Sequence, residues 1–310
     1  MRKIFNRELL RHAAVDPRIH LVLADIGYGE IEAFAEAYPS RFINCGVAEQ
    51  NMTGVACGLA LEGKVAVTYS IANFPTLRCL EQIRNDVCYH HADVKIVVIG
   101  GGMAYGPLGV SHHSTEDLAI MRSLPAMRVL APCDGHEARS AVGLMLAQPG
   151  PVYYRCGYKG EPDVHDGPVA LQWGRALAVR QGSDATVIFC GTVGHEAKLA
   201  VDWLAARRGL RCRLLSMPSV KPLDQEAILA AARETGAILT VEEHNLCGGF
   251  GSAVAEVLMD GQAGRTRFRR LAIPDENVTA IGDEQWLRRH YGLDRDGIAA
   301  AVEGLLAQHR

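Results

Sequence analysis

The chain has 310 residues and a mass of 33.6 kDa, which is enough for two ordinary domains. Hydrophobic residues make up 48% and charged residues 22% of the sequence, a balance that excludes a disordered, collagen-like or coiled-coil chain. Because 32 Lys and Arg stand against 35 Asp and Glu, the net charge of -3 offers no broad cationic field, and we expect neither a nucleic acid partner nor a membrane partner.

Short β-branched runs alternate with helical patterns along the first half of the chain. The candidate strands are 19–24, 41–45, 65–69, 94–99, 127–130 and 152–154, and helical patterns lie near 30–38, 48–61, 74–90, 115–124 and 134–147. This alternation predicts a mostly parallel sheet that is covered by helices on both faces.

A Pro- and Gly-rich segment from 156 to 174 interrupts this rhythm before the alternation resumes. The later strand candidates are 186–190, 211–215, 238–241 and 268–273, with helices at 195–208, 224–235, 250–260 and near 296–308. We therefore predict an α/β protein of two domains, with a larger domain over 1–165, a linker over 166–183 and a smaller α/β domain over 184–310.

The nine cysteines are spread evenly, and no two of them form a C-x-x-C pair. This spacing is typical of small buried side chains in a reducing compartment, so we expect no disulfide and no zinc site. The N-terminal residues lack an apolar signal core, and no apolar run approaches the roughly 20 residues that span a bilayer. We predict a cytoplasmic protein.

One segment, from Asn44 to Ala60, runs from the end of a short strand directly into a helix and places an acid, Glu49, in the first helical turn. An acid at this position can simply complement the helix dipole, which contributes about 0.3–1 kcal/mol. Small residues such as Gly54 and Gly58 instead favour close approach of another element beside the carboxylate. The carboxyl end of a strand is also where open α/β sheets bind ligands.

The residues Gly46 to Met52, with Asp25 upstream and Tyr69 to Phe74 downstream, resemble the pyrimidine-binding domain of transketolase-type thiamine diphosphate enzymes. The resemblance continues through Gly106 to His113 and covers nearly the whole chain in order. The tail, including Glu242-Glu-His-Asn and Gly248-Gly-Phe-Gly-Ser-Ala, resembles the transketolase C-terminal domain. The chain is most similar to the C-terminal subunit of a split, two-chain transketolase.

The resemblance implies three residues that contact the thiamine diphosphate cofactor. The matching Glu49 hydrogen-bonds N1′ of the aminopyrimidine and so promotes removal of the thiazolium C2 proton, a role that suits a partly desolvated carboxyl. Phe74 stacks on the pyrimidine ring, although a core aromatic would show the same pattern. Asp25 helps to align the cofactor at a subunit interface, although an Asp that caps a helix is equally common there.

The resemblance also implies three substrate-binding residues. His112 matches the family histidine that contacts substrate hydroxyl groups and assists proton transfer, and His113 is its neighbour. Arg155 matches an arginine that reaches towards the phosphate of the donor, although a strand-end ion pair is an alternative. The glycines at 100–102 and Gly106 do not form a dinucleotide fingerprint, because their spacing is wrong and no helix opens there.

Full-length family members hold magnesium (or calcium) and the diphosphate through a Gly-Asp-Gly motif followed by a distant Asn, and this sequence has no such motif. The resemblance therefore implies a separate N-terminal, diphosphate-binding partner subunit that holds the metal, and a heterotetramer of two chains of each kind. We expect this chain to contribute no metal ligand and to be inactive alone.

The implied activity is transfer of a two-carbon ketol unit from a ketose, phosphorylated in the usual family substrates, to an aldose. Leu108 stands where the family has an acidic residue and Gly29 where it has a serine, so the usual sugar preference is in doubt. Two alternatives stay open: the β subunit of the first component of a 2-oxo acid dehydrogenase, and a noncatalytic interaction subunit of the same fold.

Overall fold

The computed structural model describes residues 1–158 and 160–307. The N-terminal part contains six strands, which are β1 Ile19–Leu23, β2 Phe42–Asn44, β3 Val65–Ile71, β4 Val94–Ile99, β5 Arg128–Leu130 and β6 Val152–Cys156. Its helices are α1 Arg2–Ala13, α2 Glu32–Ala37, α3 Glu49–Leu61, α4 Asn73–Arg78, α5 Leu80–Gln82, α6 Asp117–Ser123 and α7 Gly135–Ala147. Short 3-10 turns at Pro39–Arg41 and Gly106–Leu108, and a π-helical turn at Ile83–Cys88, complete this part.

The C-terminal part alternates strands and helices in the same way. Its strands are β7 Leu177–Arg180, β8 Ala185–Phe189, β9 Cys212–Ser216, β10 Ser219–Lys221, β11 Ala237–Asn245 and β12 Arg267–Ile273. Its helices are α8 Gly194–Arg208, α9 Gln225–Thr235, α10 Phe250–Asp260, α11 Glu284–His290 and α12 Arg295–Ala307. Position 308 of the predicted last helix and the predicted domain end at 310 lie outside the described residues.

Two sheets organise these elements into two domains. The larger has seven strands in the order β10-β5-β6-β4-β3-β1-β2, and the smaller has five in the order β12-β11-β8-β9-β7. Every neighbouring pair between β1 and β6 is parallel, and β1, β4 and β8 are buried at every position. Strands that are buried along their whole length form because helices cover both faces of the sheet. The predicted α/β fold class is confirmed.

Two strands depart from the predicted organisation. Strand β7 lies within the segment predicted as a linker and pairs antiparallel with β9, so the second sheet begins inside that segment. Strand β10 follows β9 in the chain but pairs antiparallel with β5, so the C-terminal part adds an edge strand to the first sheet. One buried apolar cluster also contains residues of both domains, including Val22 and Phe250, and the two domains therefore share a core.

Candidate active site

Four loops at the carboxyl edge of the first sheet carry the predicted cofactor and substrate residues. Asp25 follows β1, Glu49 follows β2, Phe74 follows β3, and His112 lies in the loop after β4. Strands β1 to β4 are neighbours and parallel, so these loops emerge on one side, where α/β sheets place their ligand sites.

Glu49 begins helix α3 and is 2% exposed, so its carboxylate is removed from water. Its Oε2 accepts a hydrogen bond of 2.6 Å from Nη1 of Arg78, whose side chain is 51% exposed. Glu49, Met52, Thr53, Ala56 and Cys57 are the buried positions of the helix, and their spacing turns one face of α3 to the sheet. An ordinary charge at a helix start stays in water, so this burial distinguishes Glu49 from such an acid.

The small residues of α3 do not act as predicted within this chain. Apart from the adjoining backbone of its own helix, a Cβ atom placed on Gly54 or Gly58 would meet no described atom within 4 Å, and both glycines are exposed. The space beside these glycines is open on the surface of the chain.

Phe74 and His112 form the aromatic part of the site. Their ring centroids are 5.2 Å apart with an interplanar angle of 64°, an edge-to-face arrangement. The guanidinium of Arg78 lies 5.2 Å from the centroid of Phe74, and it therefore links the aromatic ring to Glu49. On the other side, the ring of Tyr105 lies 6.0 Å from that of His112.

The loop around His112 is tied to helix α4. Asn73 donates a side-chain hydrogen bond of 2.7 Å to the carbonyl oxygen of Ser111, and the Ser111 hydroxyl lies 3.0 Å from Nδ1 of His112. His112 is half-buried, so one part of its ring faces solvent. Its neighbour His113 is buried beneath the loop, and this burial lowers the pKa of His113. The two histidines therefore occupy different environments, and only His112 lies against Phe74.

Asp25 occupies a strained turn at the end of β1, with a backbone φ of +54° that Asp tolerates better than most residues. Its Oδ1 accepts hydrogen bonds from the Tyr28 hydroxyl at 2.6 Å and from the Asn44 amide at 3.0 Å. These bonds, with the Tyr28 bond the stronger influence, lower the pKa of Asp25. Asp25 is therefore held as a carboxylate at the site edge, and it does not cap a helix.

The structure does not bring Arg155 to this cluster, and its role towards a substrate phosphate stays a prediction. Arg155 is only 5% exposed, and its Nε donates to Asp117 at 2.8 Å. Its Nη2 donates to the carbonyl oxygens of Ser114 and Glu243, both at 2.9 Å. The guanidinium is committed to internal acceptors because β6 ends beneath the loop, and the alternative of a strand-end ion pair describes it.

The glycine tract after β4 serves contact between the domains. A Cβ atom on Gly102 would lie 2.8 Å from the Glu243 side chain, and one on Gly101 would collide with Arg155. A Cβ atom on Gly106 would collide with the carbonyl oxygen of Gly282. Gly102 and Gly106 are therefore required where the loop lies directly on the C-terminal domain, and Gly101 is required where the loop passes Arg155 of β6.

A buried cluster elsewhere holds Cys133, Glu137 and His165, whose ligand atoms all lie within 4.8 Å of one another. Oε1 of Glu137 lies 2.7 Å from Nε2 of His165 and accepts a bond of 2.6 Å from the Ser216 hydroxyl. Burial raises the pKa of the Cys133 thiol well above its ordinary value, which keeps it protonated. The cluster is hydrogen-bonded within itself, and its atoms stabilise the junction between the domains.

Family comparisons identify the class of protein that this fold and site define. Residues 1–157 match the family model of the transketolase pyrimidine binding domain, and residues 174–298 match that of the transketolase C-terminal domain. The chain therefore belongs to the transketolase family, whose cofactor is thiamine diphosphate. A 2-oxo acid dehydrogenase subunit and a noncatalytic subunit are not favoured.

Individual relatives narrow the class to two-chain transketolases. The chain is 40% identical over 299 residues to one of the subunits of the apulose-4-phosphate transketolase of Phocaeicola vulgatus, covering 96% of this chain and 94% of the relative. It is 36% identical over 295 residues to the 6-deoxy-6-sulfo-D-fructose transketolase subunit SqwH of Clostridium sp. (strain MSTE9), covering 95% and 90%. A split gene transketolase, solved as an inactive β4 tetramer, superposes with a TM-score of 0.89 at 36% identity and covers 100% of this chain and 98% of that one. The prediction of a split transketolase subunit is confirmed.

The residues at the sheet edge fit the pyrimidine end of thiamine diphosphate. A buried carboxylate can hold a ring nitrogen, an aromatic side chain can contact a flat ring, and a half-exposed imidazole can exchange protons beside them. Two residues that connect these groups, Arg78 and Asn73, were not predicted from the sequence. Arg78 lies four residues after Phe74 on one helix face, and this spacing is the signal that could have identified it.

Proposed function

We propose that this chain is the pyrimidine-binding subunit of a two-chain transketolase that transfers a two-carbon ketol unit from a ketose to an aldose. The observation that carries the proposal is the buried Glu49 carboxylate beside Phe74 and His112 at one sheet edge. When bound, thiamine diphosphate supplies a carbon centre that can accept the ketol unit and stabilise its negative charge.

The residues of the chain have distinct roles in this proposal. Glu49 holds the proton of the pyrimidine ring nitrogen, because a desolvated carboxylate binds a ring N–H more strongly than a solvated one does. Phe74 contacts the flat pyrimidine ring and excludes water from it. His112 exchanges protons with substrate hydroxyl groups, while Asp25 aligns the cofactor from the neighbouring loop.

A partner subunit is proposed because the site is open and incomplete. Large apolar side chains are exposed in the same segments as the site residues, namely Tyr28, Val47, Leu77, Leu108 and Val110. Clustered exposed apolar side chains of this kind are typical of interaction surfaces. We propose that the diphosphate-binding subunit covers this edge and holds magnesium, in a heterotetramer of two chains of each kind.

The substrate is proposed to be a ketose with an anionic group. The names of two relatives specify such sugars, a phosphate in one and a sulfonate in the other. Leu108 is 55% exposed and offers no hydrogen bond to a sugar hydroxyl, so an unusual sugar backbone is favoured. Arg155 is buried and is not proposed as the anion-binding group.

The location of the chain in the cell stays a prediction. No helix of residues 1–158 and 160–307 is long and apolar enough to cross a membrane. All nine cysteines are among the described residues, and each is free, as suits the reducing cytoplasm that we propose.

Reconstitution with a partner tests the proposed function. The purified chain should show no ketol transfer with thiamine diphosphate, magnesium, a ketose phosphate or sulfonate and an aldose. Addition of a partner that carries the Gly-Asp-Gly motif and distant Asn should give a heterotetramer by native mass and restore transfer. Turnover by the single chain would contradict the proposal. So would a cofactor-loaded complex that oxidises 2-oxo acids and transfers no ketol unit.

A further inference from the structure

The loop that carries His112 is closed at its base by backbone hydrogen bonds. The amide of Gly102 donates to the carbonyl oxygen of Ser114, and the amide of Ser114 donates to that of Gly102, both at 2.9 Å. Residues 103–113 therefore form a closed loop whose orientation depends on what holds this base.

Glu243, on strand β11 of the C-terminal domain, contacts that base directly. Its Oε1 accepts the backbone N–H of Met103 at 2.7 Å, which is the first residue inside the closed loop. Its backbone carbonyl accepts a bond from Arg155, which also holds the carbonyl oxygen of Ser114 at the other end of the base. One residue of the second domain is thus connected to both ends of the loop.

The Glu243 side chain is itself held in place by Arg288 of helix α11. Nε and Nη2 of Arg288 donate to Oε2 of Glu243 at 3.0 and 2.7 Å. Nη2 also contacts the Thr192 hydroxyl at 2.9 Å and Glu284 at 2.6 Å. Glu243 and Arg288 are both buried, and the carboxylate is fixed in one orientation because Arg288 holds Oε2 while the Met103 N–H holds Oε1.

The network extends to the other half of the site. Asp117, which pairs with Arg155, accepts a bond of 2.8 Å from the Tyr153 hydroxyl. That hydroxyl lies 3.1 Å from the hydroxyl of Thr76 on α4, two residues from Phe74. Both segments that form the aromatic part of the site are therefore connected to Glu243 through short bonds.

We propose that Glu243 is a positioning residue that holds the His112 loop in its reactive orientation, so that the C-terminal domain sets active-site geometry without contributing a group to the site. The inference rests on the proposed transketolase function and assigns a role within that reaction to the second domain. Burial of four charged side chains without such a role would only stabilise the fold, and that alternative makes a different prediction.

The neighbouring Glu242 supplies a matched control. It is also fully buried on β11, but its oxygens accept the N–H groups of Phe250 and Gly251 at 2.6 and 2.7 Å within the C-terminal domain. Glu242→Gln should therefore weaken the domain without a direct effect on the loop, whereas Glu243→Gln should affect both.

The test compares the two variants in the complete two-chain enzyme by hydrogen exchange and kinetics. In Glu243→Gln, amide exchange of residues 103–114 should be about ten- to a hundredfold faster, since a charge-assisted bond is lost. Its kcat/KM for the ketose should fall roughly tenfold through misplacement of the histidine, while the affinity for thiamine diphosphate stays near wild type. In Glu242→Gln, loop exchange should stay at the wild-type rate.

Unchanged loop exchange in Glu243→Gln, or an equal increase in both variants, would overturn the proposal. If Glu243→Gln does not fold, Arg288→Lys keeps the charge but loses the two-bond contact, and unchanged loop exchange there would overturn it equally. Should the wild-type enzyme transfer no ketol unit, the proposed function fails, and the exchange measurement still decides whether Glu243 holds the loop.

Discussion

Replacement of Glu49 by Gln separates catalysis from stability. Gln keeps an oxygen that can accept the Arg78 bond but loses the charge and the ability to hold the ring proton. Arg78 is half-exposed and regains water, so the loss of the ion pair should reduce the free energy of unfolding by about 0–1 kcal/mol. Loss of a positioned proton-transfer group instead lowers the rate by about 10²- to 10⁴-fold, equivalent to roughly 3–5 kcal/mol of barrier.

The assay measures ketol transfer and chemical unfolding of the two-chain enzyme side by side. Glu62→Gln is the control, because Glu62 is an exposed acid immediately after the other end of the same helix. We expect wild-type activity in the control and a loss of at least about a hundredfold in Glu49→Gln, with the heterotetramer intact. Retention of more than a tenth of the wild-type rate by an assembled Glu49→Gln enzyme would refute the role of the carboxylate.

Four further substitutions test other parts of the structure. Phe74→Leu should weaken thiamine diphosphate binding about two- to tenfold in a cofactor titration, because an aromatic contact is lost. Gly209→Ala is the control, and it should cost about 1–2 kcal/mol in unfolding experiments from its left-handed φ of +67° alone. Gly102→Ala, at +68°, should cost about 1–3 kcal/mol more because its Cβ meets Glu243. Equal losses would contradict the domain contact. Burial and the nearby Glu243 raise the pKa of Glu284 from 4.5 to about 7, so the free energy of unfolding of the wild type should fall as the pH rises from about 4.5 to about 7. Glu284→Gln should remove this part of the pH dependence, and identical pH profiles of the wild type and the variant would contradict the reasoning.

The parallel core of both sheets was predictable because its strands carry a local signal. Strands such as β4 and β8 are mostly apolar runs, each with a single polar residue (Lys95 or Thr186), and they match the predicted ranges closely. Strands β7 and β10 have three or four residues and lie at sheet edges, so they form no such run. Their pairing depends on partners elsewhere in the chain, which no local pattern contains.

Helix α11 was not predicted, although the sequence contains a residue that is typical of a helix start. Its seven residues are largely polar and form no apolar stripe, yet Asp283 caps the helix by accepting the N–H of Trp286 at 2.7 Å.

The helix predicted over 74–90 is not continuous in the structure. It is divided into α4, α5 and a π-helical turn.

Site residues whose chemical type is required by a cofactor could be predicted from the sequence. Residues whose role depends on tertiary contacts could not. Glu49, Phe74 and Asp25 were found through a resemblance, and the structure brings their loops to one edge of the sheet. Arg155 was predicted to reach a phosphate because its residue type suits one, whereas its partners within the chain, such as Asp117 and the carbonyl oxygen of Ser114, depend on tertiary contact.

The glycines after β4 illustrate how the two domains depend on each other. A glycine tract after a strand commonly binds phosphate, but here Gly101 and Gly102 make room for Arg155 and Glu243. The cost of burying these charges is offset only if each one is paired, so the loop, β6 and β11 must adopt their positions together. Since that loop carries His112, packing between the domains and the geometry of the site are determined by the same contacts. We therefore expect a change in the C-terminal domain to alter catalysis at a distance, without the loss of any residue that is proposed to touch the substrate.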